Sequence, residues 1–265
     1  MPQVAIADGE IHYEVAGEGH PLILVSGLNG VARYWEPQIA AFSARYRVIT
    51  YDQRGTGTSD HKQREFSIDQ MTCELVALMD ALKIDRAHIV GLSTGGAIGQ
   101  TLAIEYPARV GRLVLVSTWT HCDPWFRRLF EARRRMYELC GPELHTMFHP
   151  LFLYPPDYVN AHDEEITEEQ KRAPAKSAPV EASIGRIGAL LAFDRRAGHA
   201  RIKAPTLIVA GANDYITPRY HADALARAIP QSRHVVYDGG GHSVSMTRQQ
   251  EFNRTVLDFL GAAES

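Results

Sequence analysis

One stretch decides the fold of this chain: His88-Ile89-Val90-Gly91-Leu92-Ser93-Thr94-Gly95-Gly96. It begins as an apolar strand and ends at a serine between two glycines, in the pattern G-x-S-x-G. Residues 96–106 then carry apolar side chains at three-and-four spacing, which predicts a helix. Ser93 is therefore predicted to lie on a sharp strand-to-helix turn, where side chains in place of the flanking glycines would collide with the strand and the helix. Such a turn presents the serine hydroxyl at a helix N-terminus, as expected of a nucleophile.

Composition limits the class of protein. The chain has 265 residues, enough for one large α/β domain or for a domain with an insertion. A net charge of −3 without a concentrated basic stripe disfavours nucleic acid as a partner. No apolar run approaches the roughly 20 residues of a membrane span, and the N-terminus lacks a signal-peptide pattern. Since three scattered cysteines suit a reducing compartment, we expect a cytoplasmic protein that binds no membrane.

Strand and helix patterns alternate on both sides of the serine turn. Residues 3–16 predict a hairpin, and the later apolar runs predict strands at 21–25, 47–51, 112–117, 205–211 and 232–237. Helical periodicity is found between them, at 68–82, 218–229 and 247–260. This alternation predicts an α/β fold with a mostly parallel central sheet and helices on both faces.

The alternation stops between Trp119 and about residue 200. This segment has helical patterns at 125–140 and 180–194, several prolines and no strand pattern. We therefore predict that residues 119–200 are a helical cap, or lid, inserted into a core of residues 1–118 and 201–265. The cap is expected at the C-terminal edge of the sheet, where α/β proteins bind ligands.

A serine nucleophile needs a base to take its proton and an acid to orient that base. Asp214 and His242 each follow a predicted strand, and three glycines precede the histidine. The order Ser93, Asp214, His242 is the one expected for this type of turn. Asp123 is the alternative acid, but its place before Pro124 and a helical pattern favours a helix cap.

An acyl-transfer reaction also needs two backbone donors for the oxyanion. The first predicted donor is the N–H of Thr94, which follows from the serine turn. The second is the N–H of Leu28, in the loop Ser26-Gly27-Leu28-Asn29-Gly30. The alternative for this loop is an ordinary glycine turn.

Four side chains are predicted to contact the substrate: Arg33, Trp119, Trp125 and Phe152. Arg33 follows the loop of Leu28, and its guanidinium is a candidate for binding a substrate carboxylate through two parallel hydrogen bonds. The alternative is a surface arginine whose stem packs on Trp35.

Other polar groups are assigned no chemistry. The run Arg133-Arg134-Arg135 is predicted to lie on a solvated helix face. His145 and His149 have a spacing that metal ligands use on helices, but no carboxylate stands between them. We therefore predict no metal and no cofactor.

Taken together, the motifs resemble the α/β-hydrolase superfamily over essentially the full chain. The residues that carry the resemblance are Ser26-Gly27-Leu28, Asp52 to Ser59, Gly91 to Gly96, Asp214 before Pro218, and Gly241-His242. Within the superfamily the chain is similar to the 3-oxoadipate enol-lactonase branch and to the neighbouring aminoacrylate (carbamate) hydrolases. The second similarity rests on short segments: Ser26 to Gly30, Tyr34-Trp35, Tyr51 to Gly57 and Pro150 to Pro155.

The resemblance implies a hydrolase that cleaves a small ester, enol-lactone or amide/carbamate in catabolism. Ser93 would form the acyl-enzyme, and the intact serine turn favours this acyl chemistry. Ser26 stands where the family usually has a histidine, which changes the hydrogen bonding behind the oxyanion loop. Three alternatives remain: a carbon–carbon bond hydrolase of ring-cleavage products, a non-catalytic small-molecule receptor, and cofactor-free oxygen chemistry on the same scaffold. The expected partner is a small-molecule substrate, with a homodimer as an open alternative to a monomer.

Overall fold

The structure is a computed structural model and describes residues 2–7, 9–62, 65–172 and 178–262. These residues form a central sheet of eight strands: β1 (Gln3–Ile6), β2 (Gly9–Ala16), β3 (Pro21–Val25), β4 (Arg47–Tyr51), β5 (Ala87–Leu92), β6 (Val110–Val116), β7 (Thr206–Gly211) and β8 (Ser232–Tyr237). The spatial order is β1-β2-β4-β3-β5-β6-β7-β8. Strand β2 pairs antiparallel with β1 and with β4, and all other neighbouring pairs are parallel.

The helices of the described residues connect these strands. They are α1 (Glu36–Ser43), α2 (Ile68–Ala81), α3 (Thr94–Glu105), α4 (Pro124–Leu153), α5 (Pro156–Ala161), α6 (Asp163–Arg172), α7 (Val180–Ala192), α8 (Tyr220–Ala228), α9 (Val244–Thr247) and α10 (Gln249–Leu260). Two apolar clusters cover the two faces of the sheet. One contains Leu75, Ile98 and Leu225 from α2, α3 and α8, and the other contains Phe42, Phe252 and Phe259 from α1 and α10. The predicted mostly parallel sheet between two helical layers is confirmed.

Helices α4 to α7 lie between β6 and β7, in the segment that the sequence predicts as a cap. Residues 173–177 of that segment lie outside the described residues. Helix α4 is kinked at Gly141, where φ is 73° and ψ is −175°. An isolated antiparallel bridge joins His121 to Asp194, at the start and the end of the segment. We call α4 to α7 the helical insertion.

The register of the parallel strands determines where the functional loops meet. Val25 of β3 pairs with Gly91 of β5, and Gly211 of β7 pairs with Tyr237 of β8. The loops after these strands therefore leave the same edge of the sheet, and they carry the predicted oxyanion loop, nucleophile, acid and base. Within the described ranges, no helix has the length and apolar character needed to cross a membrane.

Candidate active site

Ser93 occupies a strained turn between β5 and α3. Its φ of 54° and ψ of −114° are unusual for a residue with a side chain, and such a conformation costs about 1–3 kcal/mol. The turn is held by the Ser93 N–H, which donates to the Val116 carbonyl at 2.8 Å, and by the Thr118 hydroxyl, which donates to the Ser93 carbonyl at 2.9 Å. A Cβ at position 95 would collide with the Val25 carbonyl, so the glycine after the serine is a steric requirement.

The predicted acid and base form a buried pair. The Nδ1 atom of His242 lies 2.9 Å from Oδ2 and 3.1 Å from Oδ1 of Asp214, and both side chains are nearly inaccessible to solvent. A carboxylate only accepts hydrogen bonds, so Nδ1 carries the proton and the Nε2 lone pair is free to act as a base. Among the described residues, neither His242 Nε2 nor the Ser93 hydroxyl has a hydrogen-bond partner. Both atoms are therefore available for a substrate.

Three donors hold the Asp214 carboxylate. Its Oδ1 accepts from the N–H groups of Ile216 and Thr217 at 2.8 and 2.9 Å, and its Oδ2 accepts from the Thr217 hydroxyl at 2.7 Å. These bonds and the bond to His242 satisfy a buried charge that would otherwise be costly to desolvate. The loop 212–217 thus presents the carboxylate in one orientation, and sequence reasoning did not anticipate the part played by Thr217.

Asp123 has a structural role that differs from the role predicted for Asp214. Its Oδ1 caps α4 by accepting from the Phe126 N–H at 2.8 Å, and its Oδ2 accepts from the Tyr220 hydroxyl at 2.6 Å. His221 is its nearest histidine, with Nε2 at 3.5 Å. This geometry matches the helix-capping interpretation of Asp123 and leaves Asp214 as the residue next to His242.

The loop of Leu28 lies against Ser93, the predicted nucleophile. A Cβ on Gly27 would stand 3.3 Å from the Cβ of Ser93, so the two backbones approach closely. In the part of the chain that the structure describes, the N–H groups of Leu28 and Thr94 donate to no protein acceptor. Thr94 is the first residue of α3, and the N–H groups of a first helical turn have no partner within their helix. Two free donors beside Ser93 fit the predicted oxyanion hole.

Hydrogen bonds of Ser26 and Gln53 hold this loop from behind. The Ser26 hydroxyl donates to the Val31 carbonyl at 2.8 Å, which closes the loop on itself. Gln53 Nε2 donates to the Ser26 carbonyl at 2.8 Å, and the Gln53 amide oxygen accepts from the Arg186 guanidinium of α7. The helical insertion is thereby connected to the oxyanion loop through one glutamine.

The insertion also contacts His242, the predicted base, and the front of the predicted oxyanion loop. The Leu153 carbonyl at the end of α4 accepts from the N–H groups of His242 and Ser243, at 2.9 and 3.2 Å. Sixteen residues earlier on the same helix, the Tyr137 hydroxyl accepts from Asn29 Nδ2 at 3.2 Å. Helix α4 therefore spans the site from one catalytic loop to the other, and this explains why Ser93 is only 5% exposed.

The environment of Arg33 is that of a surface residue, the alternative interpretation. Its side chain is 60% exposed and forms an ion pair with Glu36 at 3.8 Å. A guanidinium there keeps its hydration and already has a carboxylate neighbour. The geometry therefore does not support a contact between Arg33 and a substrate carboxylate.

The three aromatic residues that were predicted to contact the substrate lie in different environments. Trp119 is fully buried and stacks on Phe126 with ring centroids 4.5 Å apart, so it is part of the core. Trp125 lines an open cavity of about 410 Å³ whose lining includes neither Ser93 nor His242. Phe152 is half-buried, directly before Leu153. Of the three, Phe152 has the position that best suits a substrate contact.

The prediction of a solvated face for Arg133-Arg134-Arg135 is wrong for its first member. Arg134 and Arg135 pair with Glu138, but Arg133 is 2% exposed. A signal for this exists in the sequence: Phe126, Phe130, Arg133 and Tyr137 recur at helical spacing, which places the arginine on the apolar face of α4.

Two histidines stand beside this arginine. Burial and, to a smaller extent, the Arg133 charge lower the pKa of His145 to about 2 and the pKa of His149 to about 3. Both rings are therefore neutral at neutral pH. In the described ranges, no three side chains of metal-ligating type are grouped closely enough to hold a metal ion.

Comparison with known proteins identifies the family. A model of the alpha/beta hydrolase fold matches residues 20–249. The chain belongs to the α/β-hydrolase family. Within this family it is 37% identical over 261 residues to a protein of Azorhizobium caulinodans named putative carbamate hydrolase RutD, covering 98% of both chains. A protein of Variovorax paradoxus with the same name is 40% identical over 255 residues, covering 94% of this chain and 96% of the relative.

Among solved structures, this α/β-hydrolase is similar to the enol-lactonase from Burkholderia xenovorans LB400. The TM-score is 0.91 at 29% sequence identity, over 98% of this chain and the whole of the other. The resemblance to the enol-lactonase and carbamate hydrolase branches, inferred from short motifs, is thus confirmed over nearly the full length.

Proposed function

We propose that this chain is a serine hydrolase that cleaves a small ester, enol-lactone or amide/carbamate through an acyl-enzyme. The observation that carries the proposal is the buried His242–Asp214 pair, with Nδ1 and Oδ2 2.9 Å apart, at the sheet edge where Ser93 is held in a strained turn. The names of the relatives, carbamate hydrolase and enol-lactonase, support a carbonyl carbon bonded to nitrogen or oxygen as the point of attack.

Acylation uses the atoms described above. The Ser93 oxygen attacks the carbonyl carbon while its proton passes to His242 Nε2, and Asp214 stabilises the imidazolium. The N–H groups of Leu28 and Thr94 donate to the negatively charged oxygen of the tetrahedral intermediate. When the intermediate collapses, the bond to the leaving group breaks, and the leaving group takes the proton from His242.

Deacylation repeats the sequence with water. His242 takes a proton from a water molecule as its oxygen attacks the acyl carbon, and the second tetrahedral intermediate uses the same donors. Its collapse releases the acid and returns the proton to the Ser93 oxygen. The helical insertion acts as a lid in this scheme, because its contacts to both catalytic loops limit access of bulk water.

Labelling with a neutral fluorophosphonate tests the proposal. We expect the protein to gain one phosphonyl group on Ser93, seen by intact mass and peptide mapping, and the Ser93→Ala variant to gain none. Turnover of any ester substrate should fall about 10⁴–10⁶-fold in Ser93→Ala, because the residues of a triad act as a unit.

Ser117 provides the matched control. It is also buried after a strand and has a positive φ of 45°. Ser117→Ala should retain both labelling and turnover. Labelling that persists in Ser93→Ala, or is lost equally in Ser117→Ala, would contradict the assignment of the nucleophile.

A further inference from the structure

An open cavity of about 410 Å³ borders the loop that carries Asp214. Three aromatic side chains line it, Trp125, Tyr215 and Tyr220, and they are 42%, 69% and 46% exposed. Large apolar side chains scattered singly over a surface are ordinary, whereas several gathered in one concavity mark a place where a ligand binds. The lining includes neither the predicted nucleophile nor the predicted base, so the cavity is separate from the candidate active site.

Hydrogen bonds hold the aromatic rings in place and leave their faces open. Trp125 Nε1 donates to the Tyr215 carbonyl at 2.9 Å, and the two rings stand 6.4 Å apart at 47°. The Tyr220 hydroxyl donates to Asp123 Oδ2 at 2.6 Å. The rings of Trp125 and Tyr215 therefore form a corner that is prepared before a ligand arrives, which reduces the entropy lost on binding.

Most polar groups of the lining already have partners within the protein. Asn213 Oδ1 accepts from the Gly241 N–H at 2.8 Å, and the Asp214 carboxylate is held by its own loop and by His242. The indole N–H of Trp125 is also engaged. A ligand such as a sugar, which depends on many hydrogen bonds, would find few partners here. The cavity instead offers aromatic faces.

The charge beside these faces is negative. Asp214 belongs to the lining, and the Asp123 carboxylate contacts the hydroxyl of Tyr220. Among the described residues, the cationic type of side chain within 4 Å of Asp123 is His221, at 3.5 Å. Burial lowers the pKa of His221 to about 4, so this ring is neutral at neutral pH and does not balance the carboxylate. Carboxylates and the faces of aromatic rings both attract cations.

The protein does not supply that cation itself. In the described part of the chain, the arginines that stack on aromatic rings do so on Phe66, Phe130, Phe152, Tyr237 and Phe259, and on none of the rings of this cavity. Arg219 precedes Tyr220 in sequence, but it pairs with Asp223 at 3.5 Å. The aromatic corner is therefore free for a cation from solution.

We propose that this cavity binds a small organic cation with methyl groups on its nitrogen, such as a quaternary ammonium compound. The methyl groups pack on the faces of Trp125 and Tyr215, and the charge is attracted by the rings and by the two carboxylates. A nitrogen without N–H groups suits a lining whose acceptors are already engaged. Because Tyr215 directly follows Asp214, the ligand contacts the loop of the predicted acid. The site does not depend on the chemistry proposed for Ser93.

Choline and its uncharged isostere 3,3-dimethylbutan-1-ol test the proposal at constant ionic strength. The chain has three tryptophans, so the ¹⁵N-labelled protein gives three indole N–H signals, and Trp125→Leu identifies the signal of Trp125. Choline should shift that signal in a saturable way and leave the signals of Trp35 and Trp119, which are fully buried, unchanged. The isostere should bind about fivefold more weakly or less well still, because it lacks the charge.

Two variants locate the binding, measured by saturation transfer from the protein to the methyl protons of choline. Trp125→Leu should weaken binding about fivefold or more, since it removes one wall of the corner. Phe148→Leu is the matched control, because Phe148 lies on the same helix and is also 42% exposed, but outside the cavity. It should bind choline as the wild type does.

Three results would overturn the inference: no saturable shift of the Trp125 signal, equal binding of choline and its isostere, or unchanged binding of choline in Trp125→Leu. None of them involves turnover or the labelling of Ser93, so the outcome is independent of the proposed hydrolase activity.

Discussion

At the level of single residues, two aspartates were candidates for the acid that orients His242, and their hydrogen bonds distinguish them. Asp214 contacts the His242 imidazole at 2.9 Å, whereas Asp123 caps α4 and binds the Tyr220 hydroxyl. The sequence already favoured Asp214, because it follows a predicted strand, whereas Asp123 precedes a proline and a helical pattern. It could not reveal that Thr217 also holds the carboxylate, since that contact depends on a loop conformation.

Replacing each aspartate with asparagine tests this division. Asp214→Asn should lower kcat by about 10⁴, because an amide cannot hold His242 in the tautomer that leaves Nε2 free. Asp123→Asn should change kcat less than threefold, since asparagine is also a good N-cap residue. Steady-state kinetics with one ester substrate measures both. A larger loss in Asp123→Asn than in Asp214→Asn would move the acid to position 123.

Two arginines show where residue-level prediction reaches its limit. Arg33 was favoured as a carboxylate contact because it is close in sequence to Leu28, yet its side chain points to solvent beside Glu36. Arg133 was predicted to lie on a solvated helix face, yet it is 2% exposed and lies beside His145 within the insertion. Sequence proximity is informative within one loop, but contacts between an insertion and a core arise from tertiary packing.

At the level of secondary-structure elements, the insertion supports the oxyanion loop through α7. Arg186 is fully buried, its Nη1 donates to the Arg54 carbonyl at 3.2 Å, and its Nη2 donates to Gln53. Gln53 in turn donates to the Ser26 carbonyl. Any movement of α7 should therefore be transmitted to the loop that carries the Leu28 N–H.

Arg186→Met should weaken this support. We expect kcat to fall about tenfold for any ester substrate, because small displacements of catalytic groups are costly. Steady-state kinetics with one ester substrate checks it, with circular dichroism to verify the fold. A folded Arg186→Met variant that retains the kcat of the wild type would contradict the role of Arg186 as a support.

Helix α4 shows what element-level prediction missed. The pattern at 125–140 predicted a helix that ends near Gly141, and the glycine does leave the helical conformation there. The helix nevertheless resumes and continues to Leu153, through Pro142 and Pro150. Periodicity detects a helix whose apolar side chains share one buried face, but in the second half Met147, Phe148 and Leu151 are exposed, so the pattern is weak.

At the level of the whole molecule, the alternation of strand and helix patterns was sufficient to predict the central sheet and the helical layers on its two faces. Strands such as Pro21–Val25 and Arg47–Tyr51 have the predicted bounds, since continuous apolar runs end sharply at polar loops. The strand order was not predicted, because β4 lies between β2 and β3 through pairings that are distant in sequence. A cytoplasmic location and a homodimer stay predictions.

Buried neutral histidines should make the stability of the whole protein sensitive to acid. Burial lowers the pKa of His199 and His221 to about 4, and the pKa values of His145 and His149 are lower still. Below about pH 6.5 the unfolded chain binds protons at these positions and the folded protein does not. The free energy of unfolding should therefore be highest above pH 6.5 and fall as the pH decreases toward 4.

His199→Gln isolates one such residue. His199 is fully buried, and its Nε2 lies 2.8 Å from the Gln100 amide oxygen. Between pH 6 and pH 5 the variant should lose about 1 kcal/mol less than the wild type, because one neutral histidine contributes up to about 1.4 kcal/mol per pH unit. Urea unfolding at pH 7, 6 and 5 provides the comparison. Identical pH slopes for the two proteins would contradict this account.

The bridge between His121 and Asp194 has a consequence for how proteins of this fold acquire new substrate preferences in evolution. Since β6 and β7 are parallel, the chain between them must cross from one edge of the sheet to the other, but the bridge brings His121 and Asp194, the start and the end of the insertion, together. Lengthening or exchanging the intervening chain adds little closure entropy, about 0.6 kcal/mol for each doubling of its length. New substrate preferences can thus be acquired by altering one tethered module, while the hydrolytic apparatus on the sheet is inherited unchanged.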